Sequence, residues 1–209
     1  MRWIMVFGLV VAAGCSRALT PPLTVSAKHD LPSIRTLAVM PVSPSPASAG
    51  NVPAEAPALT SRMLAEAASR QTAWSVVDAK KTQAVLDSIP ADSLESRAGT
   101  LAARLRADGT LAATIAVYRE RVGSAYGVTE PASVSIQFLL VPAGEKQPAW
   151  KADYTVTQEP LAYNLWSLWG VVRGGPKWLA TDDLARIGID EAVRRLAAAV
   201  GSPPSANTP

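Results

Sequence analysis

The spacing of apolar residues changes part-way along the chain, and that change limits the possible folds more than any other feature. In the first half it is helical. Leu59, Met63 and Ala67 fall on one face of a helix over residues 58–71, and Leu94, Ala98, Leu101 and Leu105 on one face of another. Further on the period becomes two: Val134, Ile136, Phe138 and Leu140 point one way and Ser133, Ser135, Gln137 and Leu139 the other. Residues 110–122 and 148–157 read as strands of the same kind, and "PAGEKQ" is the hairpin turn before the last of them. Two shorter strands precede these, "IRTLAVMPV" (34–42) and "WSVVD" (74–78). Asp78 is placed to cap a helix with Thr82, Val85, Leu86 and Ile89 on its apolar face. Asp92 and Glu95 open the next helix like a capping box, and Asp108-Gly109 ends it. Helical spacing returns at Leu161, Leu165, Leu168 and Val172, stops at "RGGP", and resumes at Ile189, Val193, Leu196 and Val200. The order predicts an α/β (α+β) fold, a single mixed sheet of about five strands with helices packed on it. The first two strands, joined through a helix, should be parallel and the later ones antiparallel.

The amino terminus obeys different rules. Arg2 is followed by an apolar run, Trp3–Ala13, and by the only cysteine, Cys15. The run is shorter than the roughly 20 apolar residues that a spanning helix needs and has the layout of a signal peptide. "VAAGC" resembles the bacterial lipobox, with Ala12 where leucine is commonest. The alternative is a buried apolar segment with an ordinary core cysteine. The lipobox implies cleavage after residue 14, acylation of Cys15, and a membrane lipid anchor. Ser16, in place of aspartate, implies sorting to the outer membrane, facing the periplasm. Residues 15–33, rich in proline and polar side chains, read as a flexible tether, residues 34–200 as one domain and 201–209 as a disordered tail.

Composition removes several classes of function. Acylated Cys15 leaves no thiol for redox, nucleophilic or metal chemistry. The net charge is +3 with scattered basic residues, which argues against nucleic-acid binding. His29 is the only histidine and sits in the tether, a poor place for a catalytic imidazole. No metal or cofactor is expected.

Three stretches, "IAVYRERVGSAYGVTEPASVSIQFLLV", "WKADYTVTQEPLAYNLW" and "GGPKWLATDDLARIGIDEAV", resemble a group of mostly uncharacterised bacterial envelope lipoproteins over about residues 34–200. The plan, an early "LAVMPV" strand with a helix behind it, also resembles the set that includes the curli-secretion lipoprotein CsgG, the penicillin-binding-protein activator LpoB and the amino-terminal domain of TolB. A strand turn that usually carries Thr-Gly before a tryptophan is here "PAGEKQPAW", so Gly144 and Trp150 keep the places in a longer hairpin. The resemblance implies a non-enzymatic role in organising, regulating or assembling an envelope complex.

The remaining candidates have competing readings. Arg119 and Arg121, like-facing at a strand end, suit an acidic ligand, but solvated charges are common there. Asp182 and Asp183 suit the start of a helix through its dipole. Asp153, Gln158, Glu159 and Asn164 either line a pocket or cap the helix after Pro160. Trp166 and Trp169, three residues apart on a helix with Arg173 and Lys177 following, suit a partner or self-association surface, a membrane interface, or burial against the sheet. Trp178 is expected to pack. The favoured function is a lipid-anchored, non-enzymatic interaction protein; the alternatives are a carboxylate-dependent hydrolase of an envelope polymer and a small-ligand carrier.

Overall fold

The computed structural model describes residues 21–28, 31–48, 52–123, 128–158 and 179–201. Its centre is β5 (Gly109–Arg119), β8 (Ser133–Pro142) and β9 (Trp150–Thr157), an antiparallel set whose alternating apolar residues give each strand a buried side. β2 (Thr36–Val39) runs parallel to β5 on one side and to β4 (Ser75–Val76) on the other. The parallel pair expected from the intervening helix is therefore present. β3 (Ser43–Pro44) continues alongside β5. β1 (Leu23–Ala27) closes the opposite edge by pairing antiparallel with β9, so the order is β1-β9-β8-β5-β2-β4 in a sheet of seven strands. A separate ribbon joins β6 (Val122–Gly123) to β7 (Val128–Glu130).

Two strands beyond the expected five account for the larger sheet. The apolar run at 34–42 is broken into β2 and β3, and β1 lies inside the stretch read as a flexible tether. That reading is corrected for residues 23–27: they give up the freedom of a tether for a five-residue ladder along β9 and the burial of Leu23.

Among the described residues four α-helices pack on the sheet. α1 (Ala56–Ser69) and α4 (Thr181–Gly201) cover one face, enclosing Leu37, Leu111, Ile115, Ile136, Phe138 and Trp150. α2 (Ala79–Asp87) and α3 (Leu94–Leu105) cover part of the other over Ala38, Met40, Ala112, Leu139 and Val141. Asp78 caps α2 as expected, accepting from Lys81 N at 3.0 Å. The cap of α3 is Ser93, whose hydroxyl accepts from Ser96 N at 3.2 Å, while Asp92 accepts from Ser93 N at 2.7 Å. The expected stop at Asp108-Gly109 comes earlier: Arg106 turns left-handed (φ 55°) just after Leu105. Asp108 instead accepts from both Arg35 N and Thr36 N at 2.8 Å, fastening the start of β2 beside that of β5.

Glycine matters at two close approaches. A Cβ on Gly188 of α4 would lie 2.3 Å from the Tyr154 ring, and one on Gly99 of α3 would lie 1.8 Å from the Glu145 carbonyl oxygen. These glycines set how near the helices come to the sheet and to its β8–β9 turn.

Candidate functional site

Of the described residues singled out in the sequence, Arg119, Asp182 and Asp183 lie at one end of the sheet, where Ser133 of β8 is the register partner of both Arg119 of β5 and Thr157 of β9. A register shift in β5 between Ile115 and Val117 changes which residues face which way. Tyr118 turns into the α1/α4 core, while Val117 and Arg119 turn to the opposite face, beyond the cover of α2 and α3.

Among the described residues no helix lies over that part of the face, and three rows of polar pairs cross it from β8 to β9. Ser133 and Thr157 hydroxyls lie 2.9 Å apart, Ser135 and Thr155 hydroxyls 2.9 Å apart, and Gln137 Nε2 donates to Asp153 Oδ1 at 2.8 Å. Thr24 of β1 extends the Gln137–Asp153 row. Arg119 Nη2 donates to the Ser133 hydroxyl at 2.9 Å and so belongs to this surface. Cross-strand pairs of this type fix register at modest energy, and they make this stretch hydrophilic, with Gln137, Asp153, Thr155 and Thr157 exposed and Ser133 buried. Arg121 lies past the last residue of β5, so the alternation that would make it face with Arg119 does not extend to it. Asp153 belongs to the ladder rather than to a pocket with Gln158, whose buried Oε1 has no partner.

The first turn of α4 is docked at the same end. Thr181 donates its hydroxyl to the Arg119 carbonyl at 2.8 Å, and Asp183 accepts from Ala180 N at 3.3 Å, half of a capping box. Asp182 does more than complement the helix dipole, because its Oδ1 accepts from the Tyr118 hydroxyl. Burial first, and then the adjacent carboxylate, push the Tyr118 phenol well above its ordinary range, so it stays a donor. Further along α4, buried Glu191 accepts from Arg194 and Arg195 at 2.7–3.0 Å. Burial alone would raise its carboxyl, but the two guanidinium groups outweigh it and hold the group below the usual carboxylate range. Arg195 reaches on to the Leu23 carbonyl at 3.2 Å, tying α4 to β1.

Cys15, His29, Glu159, Asn164, Trp166, Trp169, Arg173, Lys177 and Trp178 lie outside the described residues. Among the described residues no helix is long and apolar enough to cross a membrane, and no group of three or more histidine, cysteine, aspartate or glutamate residues is placed to hold a metal ion.

No family model matches the chain, and no curated protein matches it significantly. Partial overlaps exist with solved structures. The hypothetical protein CT253 from Chlamydia trachomatis is 16% identical, with 80% of this chain and 98% of that one covered and a TM-score of 0.48. The PelC dodecamer from Paraburkholderia phytofirmans is 12% identical, with 81% and 94% covered and a TM-score of 0.43. The lipoprotein GNA1162 from Neisseria meningitidis is 18% identical, with 68% and 92% covered and a TM-score of 0.38. At these levels the three say nothing about what this chain binds or does.

Proposed function

We propose that this chain is a lipid-anchored protein of the bacterial envelope, acylated at Cys15 and held at the periplasmic face of the outer membrane. It acts without catalysis, by binding an envelope protein or further copies of itself. The anchor rests on the signal-like amino terminus. The geometric observation that carries the interaction reading is where the chain meets the sheet. β1 begins at Leu23, opposite Tyr154, so its amino-terminal end points toward the Arg119–Ser133–Thr157 end. The chain leaves the sheet at that end, where Gln158 N donates to the Ala132 carbonyl at 3.1 Å, and returns there at Thr181. The stretch between, which carries Trp166, Trp169, Arg173 and Lys177, thus starts and finishes at the end the anchor approaches. Tryptophan and arginine are the residues that most often dominate a binding interface.

Two experiments test this. Cys15→Ala should abolish incorporation of labelled palmitate; persistent labelling overturns the anchor. Photo-crosslinking in cells from position 169 should capture a specific envelope protein or a second copy. In a chain without the crosslinker, the pair Trp166→Ala and Trp169→Ala should weaken co-purification of the captured species while leaving Tm unchanged, and a large fall in Tm would instead make them core residues.

A further inference from the structure

β1 alters how far the domain can stand from a membrane. Pro21 is buried, Leu23 N donates to its carbonyl at 2.7 Å, and Leu23–Ala27 are laddered to β9. Arg195, held by Glu191, grips the Leu23 carbonyl from α4. Between Cys15 and Pro21 there remain only Ser16–Thr20. Six Cα steps reach at most about 21 Å, whereas a tether continuing to Ile34 would reach about 65 Å. Along β8 the distance from Ser133 to Pro142 is about 30 Å, longer than the free tether.

We propose that β1 gives the domain a short, directional standoff: the Arg119–Ser133–Thr157 end of the sheet faces the lipid surface that carries the anchor, and the Pro142–Trp150 turn points away from it. This rests on acylation of Cys15. A partner docking at the tether end then lies in or on the same membrane.

The test uses the full acylated chain in phosphatidylethanolamine–phosphatidylglycerol vesicles containing a headgroup-labelled energy acceptor. With Cys15 acylated, an introduced cysteine is the only free thiol for a donor dye. Thr157 and Lys146 are exposed positions at the two ends. Donor quenching should be several-fold stronger for Thr157→Cys than for Lys146→Cys. Inserting twenty Gly/Ser residues between Thr20 and Pro21 lengthens the tether without touching the ladder, and should shrink the contrast toward equality. The double change Thr24→Pro, Val25→Pro, which weakens the ladder itself, should shrink it too. Equal quenching at both positions in an acylated native-length chain overturns the standoff. Absence of quenching together with absence of palmitate overturns the anchor instead.

Discussion

Among the described residues the two faces of the sheet are covered to different extents, and the lengths of the helices follow that difference. α4, at 21 residues, extends about 31 Å and matches the roughly 33 Å of the ten-residue β8. The face beneath it is apolar along most of its length, from Leu140 through Phe138 and Ile136 to Val134 and Tyr118. α2 and α3, at 9 and 12 residues, extend about 13 and 18 Å and stop half-way. Beneath them lie Ala112, Leu139 and Val141; beyond them the same strands carry Gln137, Ser135 and Ser133. Side-chain chemistry thus changes where the helical cover ends.

Neighbouring residues on β8 put that contrast under strain. Phe138→Ala, on the covered side, should cost about 3–5 kcal/mol in chemical denaturation, through lost burial and the cavity left behind. Gly188→Ala should cost about 1–3 kcal/mol, because the added methyl meets a Tyr154 ring that is itself fully buried. A neutral result there would mean that α4 can lift off the sheet cheaply, and the two faces would differ less than their packing implies.

A third effect depends on pH. The Glu191 carboxyl lies lower in the folded state than in the unfolded chain, where it is near 4.3, so its contribution is complete above that value and is lost as pH falls through the folded one. Glu191→Gln should therefore flatten part of the stability loss that sets in as pH falls below the ordinary glutamate value of about 4.3, as read from midpoints in parallel titrations. An unchanged acid profile would show that the two arginines do not act on that carboxylate. The smallest effect is expected from Gln137→Ala, within about 0.5 kcal/mol because its side chain is exposed beside Phe138. A cost rivalling that of Phe138→Ala would reveal that this face is covered after all.

Much of this architecture is legible in sequence because it depends on local periodicity. The antiparallel set, the parallel opening pair and the helices at 58–71 and after Asp78 follow from apolar spacing and caps within a few residues of each other. β1 escapes notice because "LTVSA" buries only Leu23, so an edge strand bonded on one side leaves no alternating apolar signature. Asp108 looks like a helix stop locally, yet its partners are 72 and 73 residues away. The polar ladder was half visible: Ser133, Ser135 and Gln137 stand out as the outward set of β8. Their partners Thr157, Thr155 and Asp153 are fixed only by the register with β9. Arg119 and Arg121 illustrate a third limit, since the strand ends between them and breaks the two-residue rule that would pair them.

The joining of β1 to the far end of the chain also bears on the order of assembly. Arg195, which grips Leu23, lies 172 residues downstream, so the first of the described strands is among the last to be secured. A pairing between segments so distant in sequence carries a large loop-closure entropy and is expected late in folding. Until then the edge of β9 is open and Leu23–Ala27 is a free strand. A chain interrupted before α4 would keep β1 and β9 but lack the Arg195 grip on Leu23, so a detached β1 and an open β9 edge would be the arrangement from which neighbouring molecules exchange strands.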